Sequence, residues 1–459
     1  MKRCASISNC SVLPSGGWWM ANLRLSVPIM LSSLGQNFVQ MMDTLMVGML
    51  GTVSLAAVGF AFNVANNALV VGMGISMGLT PLVGQNFARR DRNAVASLFR
   101  NSLLLNTAVS VVLVAVLLGI LPFFGLFGQP PEVIAACKGY YIIVALSFIP
   151  MMIFLTFKQW LEGMGNTKIA MIITISANVL NVFLNWVFIF GKLGSPAMGV
   201  FGAGLSTFVS RLLCPIAFYI YIKGYREYSS YLPEFRRERF ARDVQKQLIK
   251  MGAPIAGQMF IEFFALFGIT IMMGRISTVA LAGWQVVNTM ISATFLIASG
   301  IASAVTVLVS HAWGREDEYA VKKHFFTGWQ MVLLIMGTFG IFFVFCGKYV
   351  AMLFSRDPEV IAVCAELFVV MGFFQLFDGT QVTGLSGLRG IGDVERPMVY
   401  AIISYLFVAL SFAYVCGFVL HLGIWSILAG FMAGLMCAGV LYHIRFHKAV
   451  KRHFHPFFA

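Results

Sequence analysis

Charge is what this chain has least of. Only 11% of its 459 residues are Asp, Glu, Lys or Arg, against 59% hydrophobic residues and a mean hydropathy of +0.85. A typical soluble domain is about one quarter charged, so a water-facing surface cannot be covered and a soluble enzyme is excluded. Disorder is excluded too, because disordered chains are poor in apolar residues. No P-loop, HExxH or GxSxG motif is present, so no catalytic constellation and no cofactor is expected. No CxxC or Cys/His spacing marks a metal cluster. The cysteines Cys4, Cys10, Cys137, Cys214, Cys346, Cys364, Cys416 and Cys437 are scattered, mostly in apolar runs, and read as small buried hydrophobes. The first 24 residues lack the apolar core of a cleavable signal peptide. The net charge of +14 is spread over short loops rather than gathered in a domain, which argues against nucleic acid as a partner.

What is abundant is long apolar stretches. Twelve stand out, at 25–48, 54–80, 97–121, 137–160, 168–190, 198–222, 248–273, 280–308, 326–347, 362–386, 397–420 and 423–444. A spanning helix takes about 20 such residues, so an all-α polytopic membrane protein is expected. The polar segment 223–247 divides the spans into two groups of six. The expected organisation is an N-terminal segment 1–24, an amino lobe 25–222, a connecting loop 223–247, a carboxy lobe 248–444 and a tail 445–459. With those near span ends counted to the adjoining loop, 26 of the 32 Lys and Arg fall at the termini and in the even-numbered loops, five in the odd-numbered loops, and Arg211 inside span six. Positive loops stay in the cytoplasm. Both termini and the connecting loop are therefore expected there, and the even span count follows independently from the charges.

The two groups repeat. Shifted by 226 residues, 48–95 falls on 274–321 with fourteen of 48 positions identical, among them Gly74/Gly300, Arg89/Arg315 and Asp91/Asp317. Pro28 falls on Pro254 at the same shift. Composition alone does not match Pro, Gly, Arg and Asp in register. Six spans per repeat is even, so the lobes enter the membrane the same way, related by a pseudo-two-fold axis along its normal. A cavity at the interface of such lobes is a transporter layout.

Polar groups inside the spans supply the candidates. A carboxylate at a helix centre costs roughly 2.5–3.5 kcal/mol or more, which makes each one a functional hypothesis. Asp43, Glu262 and Asp378 sit within apolar runs, with no Lys or Arg three or four residues away. Such a group suits exchange of a proton or Na⁺. Asn181 and Asn185 share one face of span five, and their amide oxygens suit a hard cation. Thr207 either cooperates with them or bonds its own backbone. Pro28 and Pro254, early in the first span of each half, mark a hinge or a fixed kink. Arg211 is expected to snorkel to the cytoplasmic face, Glu162 to lie in a cytoplasmic loop, and His311 to be solvated near a loop.

At these residues the sequence resembles the multidrug and toxic compound extrusion (MATE) family, and within it the NorM branch. The matching stretches are DTLMVGMLGTVSLAAV (43–58), LEGMGNTKIAM (161–171), LNVFLNWVFIFGKLGSPAMGVFGAGLST (180–207) and DGTQVTGLSGLRGIGD (378–393). The resemblance implies a bacterial inner-membrane antiporter that exports small cationic or amphipathic drugs in exchange for Na⁺ or H⁺, expected to act as a monomer. It implies that Asp43, Asn181, Asn185 and Thr207 form a cation and proton site in the amino lobe. Glu262 and Asp378 would form a cation site, for Na⁺, in the carboxy lobe. Position 185 is Asn where other branches carry Asp, and position 374 is Phe where some NorM-like proteins place a Tyr at the cation site. The rival reading is a flippase of lipid-linked precursors or polysaccharides from the same superfamily. The acidic cavity candidates weigh against that reading.

Overall fold

Long hydrophobic runs, bounded by capping residues, fix the architecture. The computed structural model describes residues 15–237 and 240–456. Residues 1–14, with Cys4, Cys10 and the start of the expected N-terminal segment, lie outside the described residues, as do 238–239 and 457–459. Eleven described helices are long and apolar enough to cross a membrane: α2 (Thr52–Ala88), α3 (Arg92–Phe127), α4 (Pro131–Gly163), α5 (Thr167–Phe190), α6 (Gly199–Gly224), α7 (Arg242–Ile276), α8 (Thr278–Gly314), α9 (Glu318–Phe354), α10 (Pro358–Ile391), α11 (Glu395–Val419) and α12 (Ile424–Phe454). Before them runs α1 (Ser15–Gly48), 34 residues long. It is long enough to span at 1.5 Å per residue, but Ser32, Ser33, Gln36, Asn37, Gln40, Asp43 and Thr44 make it more polar than the rest. The fold is all-α, with twelve long helices, as the sequence implies.

The repeat is visible in the helix ends. Asp91 caps α3 by accepting from the Ala94 amide at 3.0 Å, and its repeat mate Asp317 caps α9 from Ala320 at 2.9 Å. Each follows a residue in left-handed conformation, Arg90 and Glu316. Matched Asp residues are therefore helix starts.

Two compact units form, and their borders are not in the connecting loop. One unit is Leu31–Ala256. The other is Gly257–Ala459 with the described residues up to Met30. The sequence-based lobes, 25–222 and 248–444, therefore need correction at both ends. The first half of α1 packs with the later unit, and the first half of α7 packs with the earlier one. Trp18 and Asn22 are buried within their unit, and Gln245 and Leu248 within theirs. The N-terminal segment thus joins the packed core at Trp18, which has apolar neighbours to bury against.

Glycines make the exchange possible. A Cβ on Gly74 would lie 2.4 Å from the Ala256 Cα, and one on Gly300 would lie 2.3 Å from the Met30 side chain and 3.1 Å from its backbone. Met30 and Ala256 are themselves repeat mates under the 226-residue shift. Both sit two residues after the matched prolines, and both helices run through Pro28 and Pro254 unbroken. The last feature is local: α11 contains π-helical turns at Ile402–Ala409 and Val415–Val419.

Overpacking a close helix contact costs about 1–3 kcal/mol. Gly74→Ala and Gly300→Ala are expected to lower the thermal unfolding midpoint in detergent, Gly74→Ala more. Gly119→Ala, where no heavy atom lies within 4 Å of the added Cβ, should leave it unchanged.

Candidate functional site

Within residues 31–256, the polar faces of α1, α5 and α6 meet. Asn181 and Asn185 lie one turn apart on α5, so both amides face the same way. The Asn185 amide donates to Asp43 Oδ1 and to Asn181 Oδ1 at 3.3 Å. Ser206 of α6 donates to Asn185 Oδ1, and the Asn181 amide donates to Ser210 Oγ at 3.1 Å. Asp43, Asn181 and Asn185 are thus brought together. Each amide oxygen accepts one protein hydrogen bond in this arrangement, which leaves its second lone pair. Thr207 bonds its own backbone, donating to Ala203 at 3.0 Å, and its side chain still lines the cavity beside Asp43.

That cavity has a volume of about 290 Å³. Its wall includes Gln36, Asp43, Tyr140, Asn181, Thr207, Ser210 and Arg211, with apolar cover from Phe62, Leu69 and Phe154. Gln36 is the repeat mate of Glu262. Asn185 is fully buried behind this wall and acts by holding Asp43. Arg211 does not snorkel. It donates to Ser147 Oγ at 2.7 Å, lies 6.0 Å from the centre of the Phe148 ring, and acts electrostatically on Asp43. Ser147 and Phe148 hold it inward, which sequence alone does not reveal.

Within residues 257–459, Glu262 of α7 and Asp378 of α10 lie within electrostatic range of each other. Asp378 is buried, and its Oδ2 has no hydrogen-bond partner. Arg389 of α10 faces Glu262 and donates to Gln258 Oε1 at 3.0 Å, one turn before Glu262 on α7. Further buried polar atoms without partners lie on α7, α10 and α11: Gln375 Oε1, both side-chain polar atoms of Gln381, Gln258 Nε2, Arg389 Nε and the Tyr405 hydroxyl. Tyr405 sits on the π-helical part of α11 and interacts electrostatically with both carboxylates. Buried polar atoms are paired in roughly 90% of cases or more, so the unpaired atoms on these three helices set this region apart. Counting Asp378 Oδ2, four of these atoms are oxygens, the ligand type a hard cation prefers, and three are nitrogens. Among the described residues no group of three or more His, Cys, Asp or Glu is arranged to hold a metal. Phe374 is buried and stacks on Phe431 at 5.7 Å, offering no oxygen.

Two peripheral expectations fail. Glu162 is buried on α4, 3.9 Å from Lys158, rather than in a loop, because α4 runs on to Gly163. His311 is 4% exposed rather than solvated, because α8 continues past it to Gly314. The six described cysteines are free, four of them buried.

The MatE family model matches residues 28–187 and again 254–415. The chain belongs to the MatE family. The two matched stretches fall on the two repeats, and the family is one of transporters rather than enzymes. A probable multidrug resistance protein NorM of Rhizobium meliloti is 30% identical over 449 residues, covering 94% of each chain. The multidrug resistance protein NorM of Aliivibrio fischeri is 27% identical over 91% of this chain and 92% of its own. Among solved structures, a MATE transporter in a bent conformation superposes with a TM-score of 0.86 at 20% identity, over 96% of this chain and 98% of that one. A MOP superfamily transporter from Pyrococcus furiosus superposes with a TM-score of 0.85 at 21% identity, over 95% and 96%.

The contact between Arg389 and Gln258 is open to a direct check. A buried hydrogen bond to a charged group contributes about 1.5–3 kcal/mol. Gln258→Leu is expected to lower stability by that order in thermal unfolding, and Gln258→Glu, which offers Arg389 a carboxylate, to recover it.

Proposed function

We propose that this MatE-family transporter is a multidrug efflux antiporter, driven by Na⁺ or H⁺ and exporting cationic or amphipathic compounds. One observation carries the reading. Asp378 is buried beside Glu262 with a carboxyl oxygen that no protein group satisfies. A carboxylate so placed is stabilised by a proton or a bound cation, and its occupancy is a natural coupling variable. Asp43, held by Asn185 and facing a cavity that Asn181 and Thr207 also line, takes the same role in the earlier unit. The names of the relatives, multidrug resistance proteins, support drug-like cargo. The lysine and arginine asymmetry supports a bacterial inner-membrane location with both termini in the cytoplasm. No cofactor is assigned, and a monomer suffices because both sites lie within single units of one chain. Pro28 and Pro254 lie two residues before the unit borders, which supports a hinge role. A flippase of lipid-linked precursors is the second reading. Arg211 in the cavity wall favours it, and the three carboxylates weigh against it.

The energetics constrain the coupling. One charge falling through about 150 mV releases roughly 3.5 kcal/mol. A monocation leaving for one entering monocation moves no net charge, so the potential alone drives nothing. In proteoliposomes with a membrane potential but no ion gradient, one-for-one accumulation of a monocationic dye is therefore not expected. A Na⁺ or proton gradient imposed separately should drive it, and whichever does is the coupling ion. In cells, Asp43→Asn, Glu262→Gln and Asp378→Asn should each lower dye efflux severalfold. Efflux equal to wild type in all three removes the export reading.

A further inference from the structure

Arg211 was given no part in the coupling proposed above, yet it shares the cavity wall with Asp43. Thr207, Ser210, Arg211 and Cys214 recur at helical spacing on α6, and all four line the cavity. The arginine is therefore built into that face, among small neighbours. Ser147 from α4 takes one hydrogen bond at 2.7 Å, and the Phe148 ring lies 6.0 Å from the guanidinium carbon. A guanidinium has five N–H donors in a planar fork, and among the described residues no other hydrogen bond to Arg211 is formed. Asp43 and Arg211 act on each other electrostatically, yet they form no ion pair within 4.0 Å. Asp43 accepts from Asn185 instead. One wall of the cavity thus displays a negative and a positive group that are kept apart, each held by its own neutral anchor.

Two separated opposite charges in an apolar cavity attract a molecule that carries both signs. We propose that this cavity selects amphoteric compounds, with a cationic group toward Asp43 and a carboxylate toward the open side of Arg211. Planar guanidinium forks bind carboxylates in bidentate fashion, so Arg211 is the specificity residue. The inference rests on the transport reading above and names its substrate class. The volume of about 290 Å³ is near the small end of ligand cavities, roughly 300–1,000 Å³. It has room for a compact amphoteric molecule or for the charged end of a larger one.

A matched pair of dyes tests this: rhodamine B, which carries a free carboxylate, and its methyl ester, a plain monocation. Binding of each to the purified full-length protein is read by fluorescence polarisation, and gradient-driven flux in proteoliposomes is measured in parallel. The readout is the ratio of affinities, acid over ester. Wild type is expected to favour the acid, and Arg211→Gln to lower the ratio about tenfold, equivalent to roughly 1.4 kcal/mol. If Arg211→Gln binds neither dye, Arg211→Lys takes its place. It keeps the charge without the fork, and the ratio should fall by a smaller factor. A wild type that favours the ester, or a ratio unchanged in the variant that binds, overturns the proposal. A shifted ratio without gradient-driven flux of either dye upholds the specificity assignment and sinks the transport reading alone.

Discussion

Two helices in a bilayer gain little by hiding from lipid that is as apolar as they are, so close backbone packing has to hold them. Gly74 against Ala256 and Gly300 against Met30 are the places where this chain meets that demand most tightly. Gly78 against Gly252 and Gly340 against Gly372 continue the pattern. Because these contacts capture the first halves of α7 and α1, each of those helices is divided between the two units just after its proline. The polar residues of α1 beyond Leu31 then fall in the unit that holds α5 and α6. That placement, set by glycine packing, brings Asp43 to Asn185.

The charges show how the same bilayer constraint is met twice, differently. In Leu31–Ala256 the acid is embedded in a chain of neutral donors and acceptors, and the amide oxygens of Asn181 and Asn185 each have a partner. In Gly257–Ala459 two carboxylates share their surroundings with Arg389 and several polar atoms that no protein group satisfies. The first arrangement anchors its carboxylate to a neutral amide, whereas in the second Asp378 Oδ2 has no such anchor. Both contain an arginine as well as an acid, so neither region is simply acidic.

Much of this was legible in the sequence. Spans came from apolar run length, their even number from lysine and arginine placement, and the duplication from Pro, Gly, Arg and Asp in register. Asn181 and Asn185 were visible because a four-residue spacing places both on one helix face. Ser206, Ser210 and Tyr140 were not, since nothing local says which side of α6 meets α5. Arg211 was misread for the same reason. Its inward course depends on Ser147 and Phe148, more than sixty residues earlier in the chain. The unit borders were hidden because the contacts that set them join residues about 180 to 270 positions apart, whereas periodicity reports only on neighbours.

The captured first half of α1 also bears on how the protein is made. Met30 leaves the ribosome about 270 residues before Gly300, the residue that receives it. At roughly 5–20 residues per second, that is an interval of about a quarter to most of a minute. Throughout it the Tyr319 and His324 rings that Trp18 meets in the folded chain have not yet been made. Neither half of the gene product is self-sufficient in this respect, and the earliest membrane segment to be synthesised is among the last to reach its final neighbours.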